Sequence, residues 1–285
     1  MQDEMTPAVS TRDLTEATRA IWDAKADFWD ERMGEGNAFQ TMLVGPATER
    51  LLALREGEQV LEIACGNGQM ARRMAQFGAQ IVATDFSQRF VELATARTRE
   101  AGLDGQVTFQ QVDATDESAL LALGEGRYAA VVCNMALMDM TEVEPLFRAV
   151  VRLLAPAGRF VFCIAHPCYN SNGIRMTLEE EDRGGELVET SAIKVVDYLN
   201  IPPGKGAGMP GEPAPHWYFH RPLSVLLPLA FTVGLVMDGI EEMAFPPRSD
   251  PNRALGWGLY PNIPPAMAVR MRVMRDQKRV PESLE

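Results

Sequence analysis

Basic residues are scarce in this 285-residue chain. Lys and Arg number 27 against 39 Asp and Glu, which gives a formal charge of −12 and a pI near 4.9. No Lys/Arg cluster offers phosphates a footprint, so a nucleic-acid partner is not expected. Histidine is limited to three residues and cysteine to four: Cys65, Cys133, Cys163 and Cys168. None forms a C-x-x-C pair, and three lie in apolar, strand-like runs where cysteine acts as a small hydrophobe. The sequence thus predicts no metal site and the reduced thiols of a cytoplasmic protein. Long apolar runs are also lacking. The longest, Val225–Met237, is too short to span a bilayer and contains Pro228 and Gly234. The acidic start MQDEMTPAVS has no apolar core of a secretory signal, so neither a membrane partner nor export is expected.

Hydrophobic residues make up 46% of the chain, enough for a large core. Leu14, Ala17, Ile21, Ala24 and Phe28 recur at helical spacing, which predicts a helix over Leu14–Arg32 and a second over Val44–Leu54. An alternation follows. Strands are predicted at 59–64, 80–84, 106–112, 128–133 and 159–165. Helices lie between them at 69–77, from the Ser87 cap to Gly102, at 117–123 and behind a Thr141/Glu144 capping pair. Such alternation indicates a parallel sheet covered on both faces. From 166 to 220 it stops. Within Ile201–Pro215, nine of fifteen residues are Pro or Gly, the composition of a lid or loop. A hairpin of KVVDYL with HWYFHRP is expected beside it. A helix over Leu223–Val233 and strands at Leu235–Glu242 and Ala268–Met274 complete the pattern. The chain divides accordingly into an N-terminal helical cap (1–55), a core (56–165), a lid insertion (166–220) and the rest of the core sheet (221–285).

The stretch VLEIACGNGQMARRM, Val60–Met74, carries the chemistry. Gly66, Gly68 and Ala71 fit G-x-G-x-x-A loosely, and Asp85 stands nineteen residues after Gly66, as in a dinucleotide site. Glu62 argues otherwise, since a carboxylate beneath the turn would oppose a pyrophosphate. S-adenosylmethionine has a ribose diol, a cationic ammonium and a sulfonium, but no pyrophosphate, and there Glu62 has a purpose.

These residues resemble motif I of the class I S-adenosylmethionine-dependent methyltransferases, E/D-x-G-x-G-x-G, with Ala64 in place of the first glycine and Gly66 and Gly68 at the others. IVATDFS is similar to the second motif, which implies that Asp85 holds the ribose hydroxyls and Phe86 lies beside the adenine. FQQVDATD is similar to the third, which places Asp113 and Ala114 at the adenine. In AAVVCNMALMDM the resemblance implies that Asn134 and Met135 offer backbone groups to the methionine moiety. LLAPAGRFVFCIAHP matches L-x-P-G-G-R with Ala157 for a glycine. Cys65 and Asn67 complete the turn. The resemblance implies a Rossmann-like α/β fold: a seven-stranded sheet with an antiparallel last strand, helices on both faces and S-adenosyl-L-methionine as cofactor. A nicotinamide-dependent oxidoreductase and a noncatalytic S-adenosylmethionine-binding protein are the competing classes.

All three histidines fall on the acceptor side. His166 leaves the fifth strand above the cofactor site and is the candidate general base. The competing reading makes it a strand-exit residue that hydrogen-bonds backbone. Trp29, Met33, Met138, Tyr169, Trp217 and His220 are the candidate acceptor-binding residues, an apolar, aromatic set suited to a small organic molecule. The sequence also admits a homodimer.

Overall fold

A computed structural model describes residues 10–247 and 256–274. Helix α1 (Thr11–Met33) starts at Ser10, whose hydroxyl accepts the Asp13 N–H, and stops at Gly34. A π-helical turn over Gln40–Val44 runs into α2 (Gly45–Leu52). The alternation then reads β1 (Gln59–Ile63), α3 (Gln69–Gln76), β2 (Gln80–Asp85), α4 (Gln88–Glu100), β3 (Val107–Gln111), α5 (Glu117–Leu121), β4 (Tyr128–Asn134), α6 (Glu144–Leu153) and β5 (Leu154–Ala165). Two ribbons fill the insertion: β6 (Ile174–Arg183) with β7 (Glu186–Val195), and β8 (Gly204–Gly206) with β9 (His216–Tyr218). Helix α7 (Leu223–Thr232), β10 (Leu235–Met243) and β11 (Ala266–Val273) follow.

Seven strands form one sheet in the order β10-β11-β5-β4-β1-β2-β3. Strand β11 runs antiparallel to both its neighbours, while β1–β5 pair in parallel. The central strands bury both faces, so their residues are largely apolar, Glu62 of β1 being an exception, and divide by parity. Leu61, Ile63, Val131, Cys133, Phe160 and Phe162 pack toward α5, α6 and α7. Val60, Ala130, Val132, Val161 and Cys163 pack toward α2 and α3. Helix α1 lies on α4, and Asp27 and Asp30 in its C-terminal part pair with Arg89 and Arg97 near the two ends of α4.

Strands β6 and β7 join through a two-residue turn, in which Arg183 faces Glu186 across Gly184 and Gly185. Two local expectations are corrected. KVVDYL does not pair with HWYFHRP: β9 pairs with Gly204–Gly206 inside the Pro/Gly segment, with Lys205 opposite Trp217. Thr141 does not cap α6. Its hydroxyl lies 2.6 Å from that of Thr15 in α1, and the helix begins with Val143 at the cap position.

Candidate active site

The glycine turn sits where β1 ends. Ala64, Gly66 and Gly68 have φ of +56°, +54° and +74°. Alanine thus takes a left-handed backbone at the first motif position, and Ala157 does so as well at +65°. A Cβ on Gly66 would meet nothing within 4 Å, because it would point into open space. At Gly68 it would lie 2.9 Å from the Phe109 ring and 3.1 Å from Ala94. The first glycine keeps a cavity open, and the second permits α3 to pack on β3 and α4.

Asp85, at the end of β2, accepts the Gly66 N–H and the Ser87 N–H, each at 2.9 Å. Burial pushes its carboxyl up to about 6 against the pull of those donors. Glu62 is 2% exposed, and its Oε2 has no hydrogen-bond partner. Desolvation, offset in part by Arg72 and reinforced by Asp85, raises Glu62 to about 8. A buried carboxylate oxygen without a donor is a site for a cation. Asp113 accepts the Thr115 N–H and hydroxyl through Oδ1. Asn67 is locked by Nδ2 donating to Asp30 and to the Gly34 carbonyl, so α1 clasps the turn.

A cavity of about 170 Å³ collects these groups. Glu62, Ala64, Cys65, Gly66, Asn67, Asp85, Phe86, Asp113, Ala114, Asn134 and Met135 line it; Gly68 stands behind it. The Met135 N–H is engaged by the Cys163 carbonyl at 2.6 Å, so of its backbone only the carbonyl remains to offer a ligand. A second cavity of about 920 Å³ opens beyond, and Trp22, Trp29, Met33, Gln40, Met135 and Asp139 line both.

Among the expected acceptor residues, Trp29, Met33, Met138 and His220 border the larger cavity. His220 also donates Nε2–H to the Tyr198 carbonyl at 2.7 Å. Tyr169 and Trp217 line neither cavity. Tyr169 lies against the His166 ring, and Trp217 against Phe219 with Lys205 over its face. His166 is likewise outside both linings. Its Nδ1 accepts the Cys168 N–H at 3.2 Å, which fixes the proton on Nε2, and Nε2–H donates to Glu242 at 2.8 Å. Burial lowers its pKa. With both nitrogens engaged, His166 has the geometry of the strand-exit role and lacks a free lone pair for an acceptor.

A buried cluster was not foreseen. Lys25 of α1 contacts Glu212 at 3.3 Å and donates to His216 Nδ1. Glu212 also accepts from Trp29 Nε1 at 3.2 Å and from the Gly208 N–H at 3.1 Å. These contacts fasten the insertion to the cap. The signal available was a single lysine in the apolar stretch of a helix, opposite a histidine nearly two hundred residues away. Among the described residues, no group of three or more His, Cys, Asp or Glu side chains could hold a metal ion. Nor is any described helix long and apolar enough to cross a membrane.

Residues 60–158 match the methyltransferase domain family. An uncharacterized methyltransferase of Synechocystis sp. is 30% identical over 153 residues, covering 51% of this chain and 68% of that protein. The chain belongs to the methyltransferase family. A demethylmenaquinone methyltransferase of Clavibacter sepedonicus is 36% identical to this chain over 117 residues, 41% of this chain and 45% of the relative. The chain therefore spans less than half the length of that relative. An S-adenosylmethionine-dependent methyltransferase from Mesorhizobium loti has the same fold, with a TM-score of 0.58 at 24% identity over 80% of this chain and 96% of that one. Neither the matches nor the buried Glu62 supports an oxidoreductase.

Proposed function

We propose that the protein transfers the methyl group of S-adenosyl-L-methionine to a small organic acceptor held between cap, sheet and insertion. The observation that carries this reading is the junction of the two cavities. One ends on Glu62, Asp85 and Asp113, and the other is apolar and large enough for a small organic molecule. The orphaned Glu62 oxygen and the open space at Gly66 fit the cofactor's ammonium end. Asp85 retains lone pairs for a ribose diol, and Phe86, Asp113 and Ala114 would hold the adenine. When bound, the cofactor supplies an activated methyl carbon on a sulfonium leaving group. What the chain contributes is alignment of the two ligands and exclusion of water. Among the described residues, 10–55 and 166–220 act here as cap and lid over the 56–165 core and strands β10 and β11, and Trp29 and Met33 bridge the two cavities. His166 is the first residue of the insertion, directly after β5. The buried thiols of Cys65, Cys133 and Cys163 agree with a cytoplasmic location.

Calorimetry with S-adenosylhomocysteine and with NAD tests the cofactor. Binding of S-adenosylhomocysteine alone is expected, and binding of NAD alone would end this reading. Formation of S-adenosylhomocysteine from S-adenosylmethionine over an acceptor panel separates an enzyme from a mere binding protein.

A further inference from the structure

Asp139 stands five residues past the end of β4 and lines both cavities. Its Oδ1 is enclosed without a hydrogen-bond partner, and its side chain keeps 13% exposure. Placed on both linings, Asp139 stands where a bound acceptor and the cofactor would meet. A carboxylate left in this condition is costly unless a ligand completes it.

The groups facing Asp139 come from several elements. Lys25 approaches from α1, Cys133 from β4, Glu212 from the insertion, and His216 and Tyr218 from β9. Lys25 is bound to Glu212, so its charge is already compensated. Because Lys25 donates to His216 Nδ1, the imidazole carries its proton on Nε2, 3.9 Å from Asp139 Oδ1. Desolvation and the nearby ammonium lower His216 to about 4, so it is a neutral donor and not a base. An approach of about 1 Å would complete its hydrogen bond to Asp139. Burial raises the Asp139 carboxyl well above the usual range. The ionised form is accordingly a stronger proton acceptor than an exposed aspartate.

Resting on the methyl-transfer reading, we infer that Asp139 is the catalytic base for an acceptor bearing a neutral, weakly acidic hydroxyl, phenolic or enolic, with His216 and Lys25 as positioning residues. Charge decides the acceptor class. A sulfonium and a carboxylate enter the reaction, and both are neutralised together. The acceptor oxygen forms its bond to the methyl carbon, and the C–S pair stays on sulfur as a thioether. The O–H proton passes to Asp139. An anionic acceptor would instead meet an uncompensated carboxylate and leave it charged afterwards. The cations bordering the larger cavity do not answer such an acceptor: Arg32 is exposed at the rim, and Arg221 donates to the carbonyls of Leu137, Phe219, Met140 and Thr141.

The probe is para-nitrophenol, whose visible phenolate band reports its proton. It is titrated into the full chain saturated with S-adenosylhomocysteine at mildly alkaline pH. Beside Asp139 the bound phenol should stay protonated, so the band falls on binding. With Asp139→Asn the band should persist and benzoate should bind about tenfold more tightly than to the parent. Unchanged S-adenosylhomocysteine affinity and melting temperature show that this isosteric variant is folded. His216→Phe keeps the ring packing but loses the donor. It should move the protonation of the Asp139–phenol pair, and the acid limb of turnover with any phenol the enzyme methylates, to higher pH. A parent that binds S-adenosylhomocysteine but not para-nitrophenol overturns the inference. So does identical band behaviour in parent and Asp139→Asn, or preferential Asp139-dependent binding of benzylamine, which would mark an amine acceptor. A parent that binds no S-adenosylhomocysteine overturns the methyl-transfer reading instead.

Discussion

The Asp85 carboxylate accepts the backbone N–H of Gly66 at 2.9 Å, so the acid that ends the second strand holds the turn that ends the first. Asp85 therefore serves the apo fold as well as a ligand. Asp85→Ala should weaken S-adenosylhomocysteine binding by one to a few powers of ten. It should also lower stability by about 1–3 kcal/mol, because the buried Gly66 and Ser87 donors lose their acceptor. Calorimetry and urea unfolding measure the two effects separately. Full affinity in the variant would remove Asp85 from the ribose site.

Glu62 should make the protein and its ligand respond oppositely to pH. Burial raises it from 4.5 to about 8. Its contribution to stability is therefore whole below the lower value and is lost as pH climbs through the upper one. A cationic ligand group needs the carboxylate, so S-adenosylhomocysteine affinity should rise with pH up to about 8, and binding near neutrality should release protons. Calorimetry in buffers of different ionisation enthalpy counts them. Glu62→Gln should abolish both trends, and equal proton release in that variant would assign the effect elsewhere.

Gly66→Val and Gly68→Val should fail for different reasons. At Gly66 the new side chain fills open space, so ligand binding should vanish while the fold survives with about 1–2 kcal/mol of left-handed strain. At Gly68 it meets Phe109 and Ala94, so the variant should unfold at far lower denaturant. Equal melting temperatures would contradict this division.

Ala64→Gly and Ala157→Gly should each stabilise the protein by about 0.5–1 kcal/mol. Both residues hold a left-handed backbone that alanine disfavours by about 1–2 kcal/mol, and glycine's extra unfolded entropy returns part of the gain. Chemical denaturation of each variant gives the answer directly.

His166→Asn should lower stability by about 1 kcal/mol and leave methyl transfer largely intact. The lost contact is the one between Nε2–H and Glu242, while the asparagine oxygen can still accept the Cys168 N–H. Because burial depresses His166, its contribution to stability is present above its ordinary value of 6.5 and is lost as pH falls through the lower folded one. A large drop in turnover with unchanged stability would restore it to the chemistry.

The core strands were legible because burial on two faces demands apolar residues at nearly every position, as in Phe160–Ile164, and the single acid in Val60–Ile63, Glu62, stood out against that pattern. The turn was legible because Gly66, Glu62 and Asp85 are close in sequence or at strand ends. Strands β6 and β7 were not, since a ribbon largely exposed on both faces imposes no alternation on residues such as Glu179–Asp182. Lys25, Asp139 and the Glu212/His216 pair lie on three separate segments, and no local pattern says that a lysine in a helix will face a histidine behind a Pro/Gly loop. Thr141 illustrates the reverse: its spacing to Glu144 suits a cap, but Thr15 of another element claims its hydroxyl.

Strand β11 lies between β5 and β10, although it is the last of the three to leave the ribosome. During synthesis β5 is complete about a hundred residues before the strand that covers its edge, and β10 has no sheet to join until then. The nascent chain therefore carries an open, apolar strand edge through the translation of the whole insertion, a liability for pairing with other chains. Sheet closure waits for the synthesis of β11, and the segment before that strand brings Trp257 and Leu259 to the larger cavity. A polypeptide released before residue 266 would lack its protected edge, and quality control would meet it as an aggregation-prone fragment.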